Sequence, residues 1–248
     1  MDVRPPWGDR AVNSLPKAFT DPSSVGTYTD RPPRVVPGYD AMQRMATILL
    51  AEHVPDDGKV LVLGAGGGLE LRTFAQTHSG WTFDGVDPAR EMLRLAEETL
   101  GPLLSRVRLH EGYVDDAPAG PFDGATSLLT LQFLDPDERR RTAEQVRERL
   151  RPRAPFVVAH FSFPYQSDDE RQLWLSRYAA FARAGGIDAA TIATGLAAID
   201  AQLHILTPDE DVQVLRDAGF TDIRQFYAGF TFRGWVGYAS AGEPEAAN

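Results

Sequence analysis

Short apolar runs alternate with amphipathic stretches through the middle of the chain, a pattern that predicts strands separated by helices. The strand-like runs are Val60–Leu63, Trp81–Val86, Val107–His110, Gly124–Leu129 and Pro155–Phe163. Helical spacing of apolar positions falls between most of them, over Leu69–Thr77, Arg90–Leu100 and Pro136–Leu150. Such alternation predicts an α/β fold whose parallel sheet is joined by right-handed crossovers. Only a polar loop, Val114 to Pro121, links the third run to the fourth.

The flanks read differently. Met42, Met45, Ile48 and Leu49 recur at helical spacing between Tyr39 and Val54, which predicts a core-facing helix. After the fifth strand comes Pro164 to Leu206, mostly helical in pattern and interrupted at Gly185-Gly186. A further helix opens with Thr207 as N-cap, Pro208 at its first position and Asp209 and Glu210 in its first turn, and closes at Gly219. Asp222–Tyr227 and Phe230–Tyr238 then read as two strands around a tight turn at Ala228-Gly229, a C-terminal antiparallel hairpin. The expected organisation is an arm or lid over residues 1–37, one domain over 38–240 with a helical insertion at 164–206, and a frayed tail at 241–248. The arm is rich in Pro, Asp and Arg and carries two isolated aromatics, Trp7 and Phe19, which could order over a ligand.

The chemistry concentrates where the first strand ends. Lys59-Val60-Leu61-Val62-Leu63 runs into Gly64-Ala65-Gly66-Gly67-Gly68 before a helix begins. Glycine has no Cβ and accepts positive φ, so such a turn lets backbone approach a ligand closely. The second strand ends at Asp87, where a carboxylate can grip a ribose. A dinucleotide fingerprint needs a third glycine where this chain has Leu69, so the spacing G-x-G-x-G argues for a different nucleoside cofactor. The competing reading is a tight turn that binds nothing.

Hydrophobic content of 43% supports a sizeable core, while a formal net charge of −10 disfavours broad binding to nucleic acid or anionic membrane. Arg139-Arg140-Arg141 stands among glutamates and reads as a solvated face. The chain has no cysteine, which excludes disulfides and thiolate metal sites. No His, Asp and Glu cluster has metal-ligand spacing, so no metal is expected. No signal peptide or membrane-length apolar run is evident, and the expected location is the cytoplasm. His160, near the C-terminal end of the fifth strand, is the candidate proton acceptor, with the alternative of a histidine satisfied within the core. Tyr165, Trp174, Tyr178 and Phe181 in the insertion, together with His204, are candidates for an acceptor pocket; the aromatic stripe could equally be core.

The glycine loop, the acidic second-strand end and the terminal hairpin together resemble the class I S-adenosylmethionine (SAM) dependent methyltransferases. Val36-Pro37-Gly38-Tyr39, Leu129-Thr130-Leu131-Gln132-Phe133-Leu134, His160-Phe161-Ser162-Phe163, Leu206-Thr207 and Ala218-Gly219-Phe220 are similar to segments of the bacterial carboxy-SAM synthases, which make the cofactor for a tRNA wobble-uridine modification. The resemblance implies a Rossmann-like fold with a seven-stranded, mostly parallel sheet, and SAM as cofactor. It implies that Tyr39 approaches the methionine portion and that Gly64, Ala65 and Gly66 pass beneath it. Asp87, with Pro88 beside it, would take the ribose hydroxyls, and Val114 would offer a backbone N–H to the base. Met92 joins this set, as do Tyr113, where the family usually has an aspartate, and Leu128, where it has an asparagine. The synthases also use an arginine in the insertion to hold a carboxylate, whereas this chain has no Lys or Arg from Ala184 to Leu215. A carboxylate there would lack its bidentate partner unless Arg31 or Arg34 reached in from the arm. The expectation is therefore methyl transfer to a small-molecule acceptor, with a homodimer as one expected state. A carboxy-SAM synthase-like enzyme and a non-catalytic SAM-binding protein are the alternatives.

Overall fold

A computed structural model of the chain describes residues 17–21, 25–26 and 28–240. Trp7 of the expected lid and the expected tail at 241–248 lie outside the described residues. Seven strands form one sheet in the order β3-β2-β1-β4-β5-β7-β6. They are β1 (Lys59–Leu63), β2 (Thr82–Asp87), β3 (Val107–Glu111), β4 (Gly124–Leu128), β5 (Pro155–Phe161), β6 (Phe220–Gly229) and β7 (Phe232–Ala239). The first five pair in parallel, and β7 runs antiparallel to both β5 and β6.

Side-chain alternation along the central strands divides the core into two layers. Val60 and Val62 of β1 face a cluster containing Met42, Ala46 and Leu50 of helix α1 (Tyr39–Ala51) and Leu71 and Phe74 of α2 (Leu69–Thr77). Leu61 and Leu63 face the opposite cluster, with Ala143 and Val146 of α4 (Pro136–Glu148) and Leu215 of α7 (Pro208–Asp217). Helix α3 (Arg90–Leu100) follows β2. Between β5 and α7 stand two insertion helices, α5 (Asp168–Ala184) and α6 (Ala189–Gln202). Each starts at a side-chain cap that satisfies an otherwise orphaned N–H: Ser167 accepts from Glu170, and Asp188 from Thr191. Thr207 and Glu210 form a full capping box at the head of α7.

Ile48 of the expected core-facing stripe is instead 62% exposed, and the clearest boundary differences lie in the C-terminal strands. The hairpin turns at Phe230-Thr231, because Ala228 and Gly229 are still paired with Arg233 and Phe232. Register shifts between Thr221 and Arg224 and between Gln225 and Tyr227 mark irregularities that an alternation pattern cannot anticipate. The fifth strand ends at Phe161; Ser162 instead makes an isolated bridge to Leu206.

Candidate functional site

The strand order reverses between β1 and β4, which opens a crevice at their C-terminal ends. The glycine loop lies there. Gly64, Gly66 and Gly68 take φ values of +77°, +44° and +77°, a region that side-chain-bearing residues rarely adopt. Space is the second constraint. A Cβ on Gly64 would lie 1.9 Å from Thr130 Oγ1, and one on Gly68 would lie 2.9 Å from Ala96 Cα in α3. At Gly66 a Cβ would instead point towards Met92 Cε, at 3.5 Å, and Asp87 Oδ2, at 4.0 Å. Gly66 therefore leaves open the volume beside Asp87.

Asp87 ends β2 with both carboxylate oxygens engaged by backbone. Oδ2 accepts from Gly66 N–H and Oδ1 from Ala89 N–H, each at 2.9 Å. Burial raises its carboxyl to about 6, against the opposing pull of these two hydrogen bonds. Pro88 follows half-buried, and Met92 is buried on α3 beside Val25 and Ala89. Tyr39, at the start of α1, is buried with its hydroxyl accepting from Gln43 Nε2 at 2.8 Å. Val114 and Leu128 are buried at the same edge, while Tyr113 is 38% exposed. Asp116 accepts from the Tyr113 N–H at 2.9 Å, fixing the turn after β3. The positions expected around the cofactor thus lie on loops, strand ends and helix starts at this end of the sheet.

Beside them lies a cavity of about 800 Å3 between the arm, α6 and the ends of β4 and β5. Arg31, Leu129, Phe133, Phe161, Tyr178 and Gly195 are among its lining residues. Leu129 is held at φ +62° on the cavity wall, a strained conformation of the kind found where surrounding structure overrides local preference. Arg31 supplies what α6 lacks. Its guanidinium lies beside the Tyr178 hydroxyl, and its Nη2 lies 3.2 Å from where a Cβ on Gly195 would sit.

Of the five acceptor-pocket candidates, the structure brings only Tyr178 to the cavity; Phe181 packs edge-on against Phe230. Tyr165 donates to the Ile205 carbonyl at 3.1 Å, and Trp174 packs on Phe163 with Arg177 and Arg233 over its ring. His204 is exposed, and it is its backbone that is used, accepting from Arg139 and donating to the Gln132 carbonyl. His160 also stands apart from the cavity. Strand alternation sends Ala159 and Phe161 to the insertion side and His160 to the opposite layer, where it is 2% exposed, bonded to Asp211 at 3.0 Å and packed against Trp235. Burial alone would raise the Asp211 carboxyl, yet His160 and Arg139 together hold it below the usual range. His160 thus lies away from the cavity, in the alternative position of a histidine satisfied within the core, in a buried cluster with Asp211 and Arg139. Arg139, read from sequence as solvated, is 1% exposed in the same cluster.

Sequence reasoning passed over Glu70 and Tyr28. Glu70 in the first turn of α2 is only 7% exposed and accepts from Thr126 Oγ1 at 2.9 Å. Tyr28 lies against Gly67 and stacks edge-on with Phe19, which meets Phe133 in turn. An acid in a first turn normally reads as a solvated complement to the helix dipole, so nothing local marked Glu70 as buried.

Across 89% of this chain and 83% of its own length, the carboxy-S-adenosyl-L-methionine synthase of Chromohalobacter salexigens is 30% identical over 230 residues. The chain belongs to the carboxy-S-adenosyl-L-methionine synthase family. A methyltransferase-domain family also matches residues 60–153. Among solved structures, an O-methyltransferase family protein from Burkholderia thailandensis superposes with a TM-score of 0.64 at 19% identity, covering 94% of this chain and 66% of that one. Human N-acetylserotonin methyltransferase in complex with SAM gives 0.57 at 15% identity, over 92% and 61% of the two chains. This carboxy-SAM synthase family member carries a methyltransferase domain over residues 60–153 and has the methyltransferase fold. Among the described residues no helix is long and apolar enough to cross a membrane, and no group of three or more metal-ligating side chains converges.

Proposed function

We propose that the protein transfers the methyl group of SAM to a small-molecule acceptor held in the 800 Å3 cavity, and that this acceptor carries an anionic group. The observation that carries the reading is the cavity itself, walled by apolar residues of α6 and β5 and carrying the Arg31–Tyr178 pair. SAM supplies an electrophilic methyl on a sulfonium. The protein's task is then to align a nucleophile and exclude water, and proximity and orientation alone can lower such a barrier by ~7–11 kcal/mol. In this reading Gly64, Ala65 and Gly66 pass beneath the cofactor, Asp87 takes the ribose hydroxyls and Val114 offers its N–H to the base. Tyr39, Pro88, Met92, Tyr113 and Leu128 surround it. Phe19 and Tyr28 of the arm close the site from above, supported by their packing on Phe133 and Gly67. Arg31 and Tyr178 orient the acceptor by its anion, with the planar guanidinium suited to bidentate pairing.

One observation favours a second reading. Arg31 gives the insertion a cation that its own sequence lacks from Ala184 to Leu215, so a carboxylated cofactor would also find a partner there. Incubation with SAM and prephenate, the carboxyl donor that the family resemblance implies, followed by mass analysis of the nucleosides, separates the two. Methyl transfer is supported if no carboxy-SAM accumulates while S-adenosylhomocysteine forms with an added carboxylate acceptor. Carboxy-SAM at catalytic rates overturns it in favour of the second reading.

A further inference from the structure

We propose that buried Glu70 acts with the partly buried Asp87 as a carboxylate pair that favours the sulfonium cofactor over its neutral product, with a preference that grows as pH rises. The inference takes SAM as the cofactor of the glycine-loop site and adds a residue to that site. Glu70 projects from the first turn of α2, directly after the loop, into the sheet rather than into solvent. Its Oε1 accepts from Thr126 Oγ1 on β4. Four elements present polar groups around it: Asp87 on β2, Thr126 on β4, Tyr39 on α1 and Tyr28 on the arm. Among the described residues, no Lys, Arg or His forms an ion pair with Glu70 or Asp87. Arg72 and Arg31 act on the two tyrosines, Tyr39 and Tyr28.

One buried and one partly buried carboxyl group without a cation leave two outcomes: one group stays protonated, or a cationic ligand balances them. The protein alone takes the first. Burial raises the Glu70 carboxyl to about 8, helped by the nearby Asp87 charge and opposed by the Thr126 hydroxyl. Methyl transfer removes the positive charge from sulfur, while the ammonium and carboxylate of the amino-acid portion remain. The interaction of the pair with the sulfonium therefore distinguishes reactant from product, and it is strongest once Glu70 is ionised. Binding of SAM near neutral pH should accordingly release a proton from Glu70, and binding of S-adenosylhomocysteine should release less.

Titration calorimetry of the whole protein with SAM and with S-adenosylhomocysteine tests this, each from about pH 6 to about pH 8.5. The preference for SAM should rise by about threefold or more over that range in the wild type and stay level in Glu70→Gln, which keeps an oxygen for the Thr126 hydroxyl. A level preference in the wild type, or an undiminished rise in Glu70→Gln, overturns the proposal. Comparison of phosphate and Tris buffers near neutral pH gives a readout that does not depend on the variant folding. Proton release on SAM binding that exceeds release on S-adenosylhomocysteine binding supports the pair, and equal release refutes it. Failure to bind SAM at any pH would instead remove the cofactor assignment on which the proposal stands.

Discussion

Replacing Asp87 with alanine separates cofactor binding from folding. The carboxylate accepts from Gly66 N–H and Ala89 N–H at 2.9 Å, and in the proposed complex it also accepts from the ribose. Hydrogen bonds to a charged group contribute ~1.5–3 kcal/mol, so SAM affinity should fall about tenfold to hundredfold. Stability should change much less. Burial raises the carboxyl from 3.8 to about 6, so keeping it ionised at neutral pH opposes folding by about 3 kcal/mol. That figure is already net of the two backbone hydrogen bonds; truncation relieves it but leaves the Gly66 and Ala89 N–H groups without their acceptor, an opposing cost of similar size. The sign follows from the raised value. The folded state holds the proton more tightly, so the opposition is absent below about pH 4, grows as pH rises and is complete above about pH 6. Wild-type stability should therefore fall across that window by a component that Asp87→Ala lacks. Calorimetric SAM titration measures the affinity, and thermal unfolding between about pH 3.5 and about pH 7 measures the slope. Unchanged SAM affinity in a folded variant would refute the assignment.

Gly64→Ala should abolish SAM binding and lower stability by about 2 kcal/mol or more in urea unfolding, because its Cβ would meet Thr130 Oγ1 at 1.9 Å from a backbone at φ +77°. Tyr178→Phe should raise the KM for a carboxylate acceptor severalfold while sparing SAM affinity, since it removes the hydroxyl paired with Arg31. Trp174→Ala should do the reverse, lowering stability by ~3 kcal/mol with acceptor KM unchanged, because Trp174 packs on Phe163 away from the cavity. Asp211→Ala should destabilise by ~3–5 kcal/mol through the stranded charge of Arg139. Turnover per folded molecule should persist in that variant, and its loss would return His160 to the reaction.

The layered α/β order was legible in the sequence because burial of a helix stripe or a two-sided strand leaves a local periodicity. Helices Leu69–Thr77 and Arg90–Leu100 end where the pattern ends, and the Thr207 capping box marks its helix by short-range chemistry. The glycine loop was legible for the same reason, since positive φ at Gly64, Gly66 and Gly68 is a backbone demand that residue type satisfies locally. Tertiary structure alone decided what each strand residue faces and what distant segments bring together. His160 lies one residue from Phe161, yet the two project into opposite layers, and membership of the cavity turns on that alternation together with the packing partner. Arg31 meets Tyr178 and Gly195 from a segment remote in sequence, so the cation missing between Ala184 and Leu215 could be named as a candidate but not located. Glu70 is the sharpest case. Residue type and helix position suit an exposed acid, and only its placement against Thr126 on the neighbouring β4 makes it a buried one, because burial is a property of the contacts that the fold assembles.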